Sequence, residues 1–192
     1  MSLLNVWVSP ERALIAVDTD AITPDGQHFG MSKLLVLPHA ETVFAFRGDR
    51  RFMHDLFGRF YLAGCDVDFD EIMAAMGEML ASVILGLRQA GEAPLSYEVA
   101  VVGWSASEAR MRGFWCTGRT DEDDWDLEEI TSARVTPWRL PNLRMTPNVE
   151  GMRELAVQQA EWLRADGDAG GGRLLVAELT RREIIVRDEG AL

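Results

Sequence analysis

Between Arg12 and Gly48 the chain reads RALIAVDTDAITPDGQHFGMSKLLVLPHAETVFAFRG, a succession of short apolar runs cut by turn residues. ALIAVDTDA is β-rich and of buried character, and TPDGQH carries a Pro-Asp-Gly turn. KLLVLP and TVFAFRG are two further short strands joined by HAE. Ahead of them LLNVWVS alternates large apolar with smaller residues before an SPER turn. Hairpin spacing then predicts about four or five antiparallel strands in the first fifty residues. A chain that opens this way needs something to cover its sheet.

The cover follows at once. DRRFMHDLFGRFYLAG places apolar residues at Phe52, Met53, Leu56, Phe57, Phe60, Tyr61 and Leu62, a helical period. After CDVD, FDEIMAAMGEMLASVILGLRQAG is a longer helix with acids at its positive end, apolar over much of its circumference. Its methionines, Met73, Met76 and Met79, read as core filler. Strands return in SYEVAVVGWS and EARMRGFWCTG, turning around Ala106 and Ser107, whereas Gly118 to Leu143 carries acids and prolines without a clear period. TPNVEGMRELAVQQAEWLRAD is an amphipathic helix with Thr146 or Asn148 as N-cap. GDAGGG is a connector, and RLLVAELTRREIIVRDEG closes as a hairpin turning at Thr180 to Arg182. Strand runs separated by helices predict an α+β chain of two stacked antiparallel sheets with helices outside, in one domain over residues 1–192.

Composition narrows the function. The formal net charge of −12 sets the surface against phosphate backbones, so no nucleic acid is expected as a partner. Much of that charge lies in DEDDWDLEE, read as a solvated loop or strand edge without the glycine and spacing of a calcium loop. No apolar run is long enough to span a bilayer and the N-terminus lacks signal-peptide character, so no membrane partner and a cytoplasmic location are expected. Cys65 and Cys116 lack CxxC spacing and sit in apolar surroundings, as buried reduced thiols would. His28, His39 and His54 form no metal-ligand pattern, so neither metal nor cofactor is expected.

The order of elements and the residues of the opening stretch resemble the proteasome β-subunit family of N-terminal-nucleophile hydrolases. The matching positions are Ser2, Asp18 in IAVDTD, Lys33 in SKLLVL and Gly48 in FAFRG. The closing GGRLLVAELTRREI is similar to the family's last hairpin. The resemblance implies a four-layer αββα sandwich and a peptidase or amidohydrolase acting on peptide or protein substrates, within a homo-oligomeric ring or stack. Ser2 would be the nucleophile once Met1 is removed. Its own α-amine, with an ordinary pKa of about 7.7–8.0, would be the base. Lys33 would stabilise the oxyanion, Asp18 would hold Lys33 charged, and the backbone N–H of Arg47 or Gly48 would be the oxyanion donor. Asp168 would support the site from its loop.

The chain also departs from that pattern. It has serine where the family uses threonine. TPWRLPN stands where a glycine-serine-glycine segment is expected, and GDAGGG lacks the loop serine. The paired glycines after the oxyanion strand are reduced to Gly48, followed by Asp49, Arg50 and Arg51. A second reading therefore stands beside the first: a catalytically inactive proteasome-like structural or assembly protein. In that reading Asp18 and Lys33 are a buried ion pair fixing two strands.

Overall fold

The computed structural model describes residues 2–23, 25–63, 67–137, 145–166 and 171–192. Among them lie three α-helices and three antiparallel sheets, an α+β chain whose core is mostly sheet. The first sheet joins β1 (Leu4–Val8), β2 (Arg12–Asp18), β10 (Ala133–Thr136), β11 (Arg173–Thr180) and β12 (Ile184–Ala191), in the order β10-β1-β2-β11-β12. A two-stranded ribbon pairs β3 (Asp20–Ile22) with β4 (His28–Gly30). The remaining sheet runs β5-β6-β7-β8-β9, from β5 (Leu34–Leu37) and β6 (Thr42–Gly48) through β7 (Ser96–Ser105) and β8 (Arg110–Arg119) to β9 (Trp125–Glu129).

Side-chain alternation explains how these pieces join. Along β2, Ala13, Ile15 and Val17 enter a cluster with Val43, Ala45, Ala100 and Val102 of the other five-stranded sheet. The intervening Leu14 and Ala16 pack instead with Met152 and Ala156 of α3 (Val149–Ala165). A strand buried on both faces has no polar face to show, which is why RALIAVD reads as an unbroken apolar run. The same logic holds for β7: Ala100 and Val102 face the first sheet, while Val99 and Val101 pack with α1 (Arg50–Ala63) and α2 (Phe69–Gln89). There Phe52, Leu56 and Phe60 meet Ile72, Met76 and Leu80, each burial contributing about 1.5–3 kcal/mol. Gly103 lets the start of α2 approach β7, since a Cβ there would stand 2.3 Å from the Phe69 ring.

The helix ends follow local chemistry. Asp68 accepts from Glu71 N–H while the Glu71 carboxylate accepts from Asp68 N–H, a reciprocal capping box at the start of α2. Of the two N-caps expected for α3, Asn148 holds the position, its side chain accepting from Gly151 N–H at 2.7 Å.

The structure refines three local readings. The stretch ALIAVDTDA is two strands, because the chain leaves the first sheet at Thr19 and enters the β3–β4 ribbon; six strands precede α1. The acidic stretch contains β9, an edge strand whose exposed carboxylates discourage pairing with other chains. Beyond it, β10 closes the far edge of the first sheet by pairing with β1.

Candidate active site

The start of β1, the end of β2, the start of β5 and the end of β6 converge, and they bring Ser2, Asp18, Lys33 and Arg47 together. The register accounts for it. Leu4 pairs with Val17, so the residues before β1 lie beside Asp18. Lys33 accepts from Phe46 N–H through its carbonyl, so it lies beside the end of β6. The turn between β2 and β3 is held by Thr19 N–H on Arg173 O at 2.9 Å.

Lys33 is 5% exposed and Asp18 is fully buried. The Lys33 ammonium donates to Ser2 Oγ at 2.8 Å, to Asp18 Oδ1 at 3.0 Å and to the Asp20 carbonyl at 2.5 Å. Those acceptors match the N–H groups of an ammonium one for one. Burial pulls Lys33 below the ordinary lysine range, opposed by Asp18. Burial likewise pushes the Asp18 carboxyl up, opposed by Lys33 and by Leu3 N–H, which donates to Oδ1 at 3.0 Å. Asp18 Oδ2 has no hydrogen-bond partner among the described residues.

Arg47 and Gly48 stand where the sequence puts them, at the end of β6. The Arg47 side chain adds something the sequence reading does not contain. Its Nε donates to the Ser2 carbonyl at 2.8 Å, and its terminal nitrogen pairs with Glu98. Glu98 lies directly across from Arg47 on β7. Gly48 has φ +139°, and a Cβ there would stand 2.6 Å from Ser96 O, so no side chain fits. Met1, Cys65, Asp168 and the TPWRLPN residues from Trp138 onward lie outside the described residues. Cys116 is buried in the core, and burial raises its thiol pKa to about 12, which keeps it a protonated packing group.

Ser2 is half-buried and opens on a cavity of about 1090 Å³ whose lining includes Lys33, Phe46, Arg47, Gly48 and Tyr97. That volume lies at the upper end of ordinary ligand pockets, about 300–1,000 Å³. Among the described residues no group of three or more His, Cys, Asp or Glu side chains converges as a metal cage requires. No helix among them is long and apolar enough to cross a membrane.

Fold and site together define a class: antiparallel sheets joined through a shared apolar cluster, with a serine hydroxyl, a lysine and a carboxylate hydrogen-bonded where strand ends meet. Solved structures share this fold, Anbu among them. A mutant of Anbu from Hyphomicrobium sp. strain MC1 superposes with a TM-score of 0.69 at 12% identity, covering 99% of this chain and 88% of that one. A second Anbu structure from the same strain gives 0.65 at 10% identity, covering 98% and 87%. No family model matches the chain, and no curated protein matches it.

These findings correct the resemblance read from the sequence. The supported likeness is to Anbu, and membership of the proteasome β-subunit family is not supported. At such identity it is a likeness of fold. The physical reason is that an order of strands and helices with a handful of strand-end residues specifies an architecture and not one family within it. The stretches that would separate them, TPWRLPN and GDAGGG, depart from the β-subunit pattern.

Proposed function

We propose that the chain is an N-terminal-nucleophile hydrolase, built as a four-layer αββα sandwich, in which Ser2 attacks the carbonyl of a peptide or amide bond. The observation that carries this reading is the 2.8 Å hydrogen bond from Lys33 to a Ser2 hydroxyl facing a cavity large enough for several residues of peptide. A purely structural ion pair between Asp18 and Lys33 would need neither the serine nor the opening.

The chemistry uses the chain's own groups. Removal of Met1 frees the Ser2 α-amine, which takes the proton from Oγ as Oγ bonds to the substrate carbonyl carbon. Lys33 stabilises the negative charge that develops, and the Arg47 or Gly48 N–H receives the oxyanion. Asp18 keeps Lys33 charged and, through Leu3 N–H, holds the chain just beyond the nucleophile. Arg47 fixes the Ser2 carbonyl, so backbone on both sides of the Ser2–Leu3 peptide bond is tethered before substrate arrives. The leaving amine takes up the proton from the α-amine, and water then releases the acyl group from Oγ. The same reading places the protein in the cytosol as a homo-oligomer, ring or stack.

The test is hydrolysis of a panel of fluorogenic peptide amides by protein whose N-terminus is verified as Ser2. Turnover that disappears in Ser2→Ala is the expected result. Turnover unchanged in Ser2→Ala, or unchanged after adding an uncleavable residue ahead of Ser2, sinks the mechanism. A folded chain starting at Ser2 that cleaves nothing favours the second reading, an inactive proteasome-like assembly protein.

A further inference from the structure

The lining of the cavity is not neutral in kind. It carries Lys33, Arg47, Arg50 and Arg51 against Asp20, Asp49 and Glu98, in a chain that is strongly acidic as a whole. Most of these charges already have partners. Lys33 holds Asp18, Arg47 holds Glu98, Arg51 holds Asp49 and Glu92, and Asp20 holds His28. Arg50 is the exception: among the described residues it makes no ion pair. Its guanidinium lies over the Phe29 ring, 5.7 Å from the centroid. Stacking of that kind engages the face of the guanidinium and leaves its in-plane N–H groups free for a carboxylate.

We infer that the cavity takes an acidic ligand: a peptide carrying an Asp or Glu side chain, whose carboxylate is received by Arg50. The inference rests on the reading of this cavity as the substrate site. Two features favour a carboxylate. Arg50 is the first residue of α1, where the helix end adds its partial positive charge. The carboxylates on this wall already have hydrogen-bond donors, Asp49 in Arg51, Glu98 in Arg47 and Asp20 in His28, although the Asp49 charge also acts on Arg50. Met31, Met53 and Phe46 give the cavity an apolar wall against which the aliphatic part of the ligand packs.

The experiment compares binding of two acetylated peptide amides that differ only in Asp against Asn at one position, titrated by calorimetry into the full chain carrying Ser2→Ala. The Asp peptide is expected to bind about fivefold tighter, the equivalent of about 1 kcal/mol for one partly exposed charge pair. The gap should close in Arg50→Ala, invert in Arg50→Glu, and shrink as salt is raised. Equal affinities, no binding of either peptide, or a gap that survives Arg50→Ala overturns the inference. Covalent labelling of Ser2 in the unsubstituted chain reads the hydrolase proposal separately. Labelling without acidic preference removes this inference alone, and acidic preference without labelling removes the hydrolase reading alone.

Discussion

Two polar side-chain pairs are buried among the described residues, and they are built on opposite plans. Asn5 and Gln159, both fully buried, exchange amide hydrogen bonds of 2.6 and 3.0 Å between the first sheet and α3, and Gln159 reaches Pro137 O as well. They are neutral, mutually satisfied and closed to solvent. Asp18 and Lys33 are charged, leave Asp18 Oδ2 without a partner among the described residues, and pass a hydrogen bond on to a serine at the edge of a cavity. Burial works against both charges of that pair. A latch between two layers has no use for such a cost, whereas a site that must meet developing charge does.

The largest effect that could break this contrast is in Lys33→Ala. It leaves the Asp18 carboxylate buried and unpaired and is expected to cost about 3–5 kcal/mol in urea unfolding, while Ser2 reactivity falls at least about 100-fold. Replacing the pair together with Asp18→Leu and Lys33→Met should recover most of the stability and none of the reactivity. Recovery of both would mean the pair is structural. Asn5→Ala is the matched control. It strands the Gln159 amide and is expected to cost about 1–3 kcal/mol with Ser2 reactivity unchanged.

The smallest effect is in the titration. Asp18 holds its proton more tightly folded than unfolded, because burial outweighs its partners. Its contribution to stability is therefore full below the unfolded carboxyl range and is withdrawn as pH rises through its folded value. Glu129 does the reverse: hydrogen bonds from Arg112 hold it below its ordinary value, so its contribution is present at neutral pH and lost as pH falls through that lowered value. Carboxyl carbon NMR should show Asp18 protonating first on acidification and Glu129 later. The opposite order would mean that Lys33, and not burial, governs Asp18.

Much of this was legible in the chain. Helical period marked α1, α2 and α3, and the resemblance named Ser2, Asp18 and Lys33 as a set, which Lys33 joins through hydrogen bonds to the other two. What sequence withheld depends on partners far along the chain. Asn5 meets Gln159 across 154 positions, and Arg47 meets Glu98 across 51. Opposite charges facing each other on β6 and β7 become a signal only when the register is known. The β10 strand escaped because four residues at a sheet edge, with one buried side chain among them, show no apolar period. The cavity and the Arg50 guanidinium stacked over Phe29 on its wall are properties of assembled surfaces.

The central claim is that Ser2 is a nucleophile activated by its own amine and by Lys33. Intact mass after exposure to an epoxyketone tests it most directly, because that warhead forms its ring only with a free α-amine and the adjacent hydroxyl. The account predicts a chain without Met1 that gains one inhibitor, and no gain in Ser2→Ala or Lys33→Ala. A folded chain beginning at Ser2 that gains nothing would contradict it.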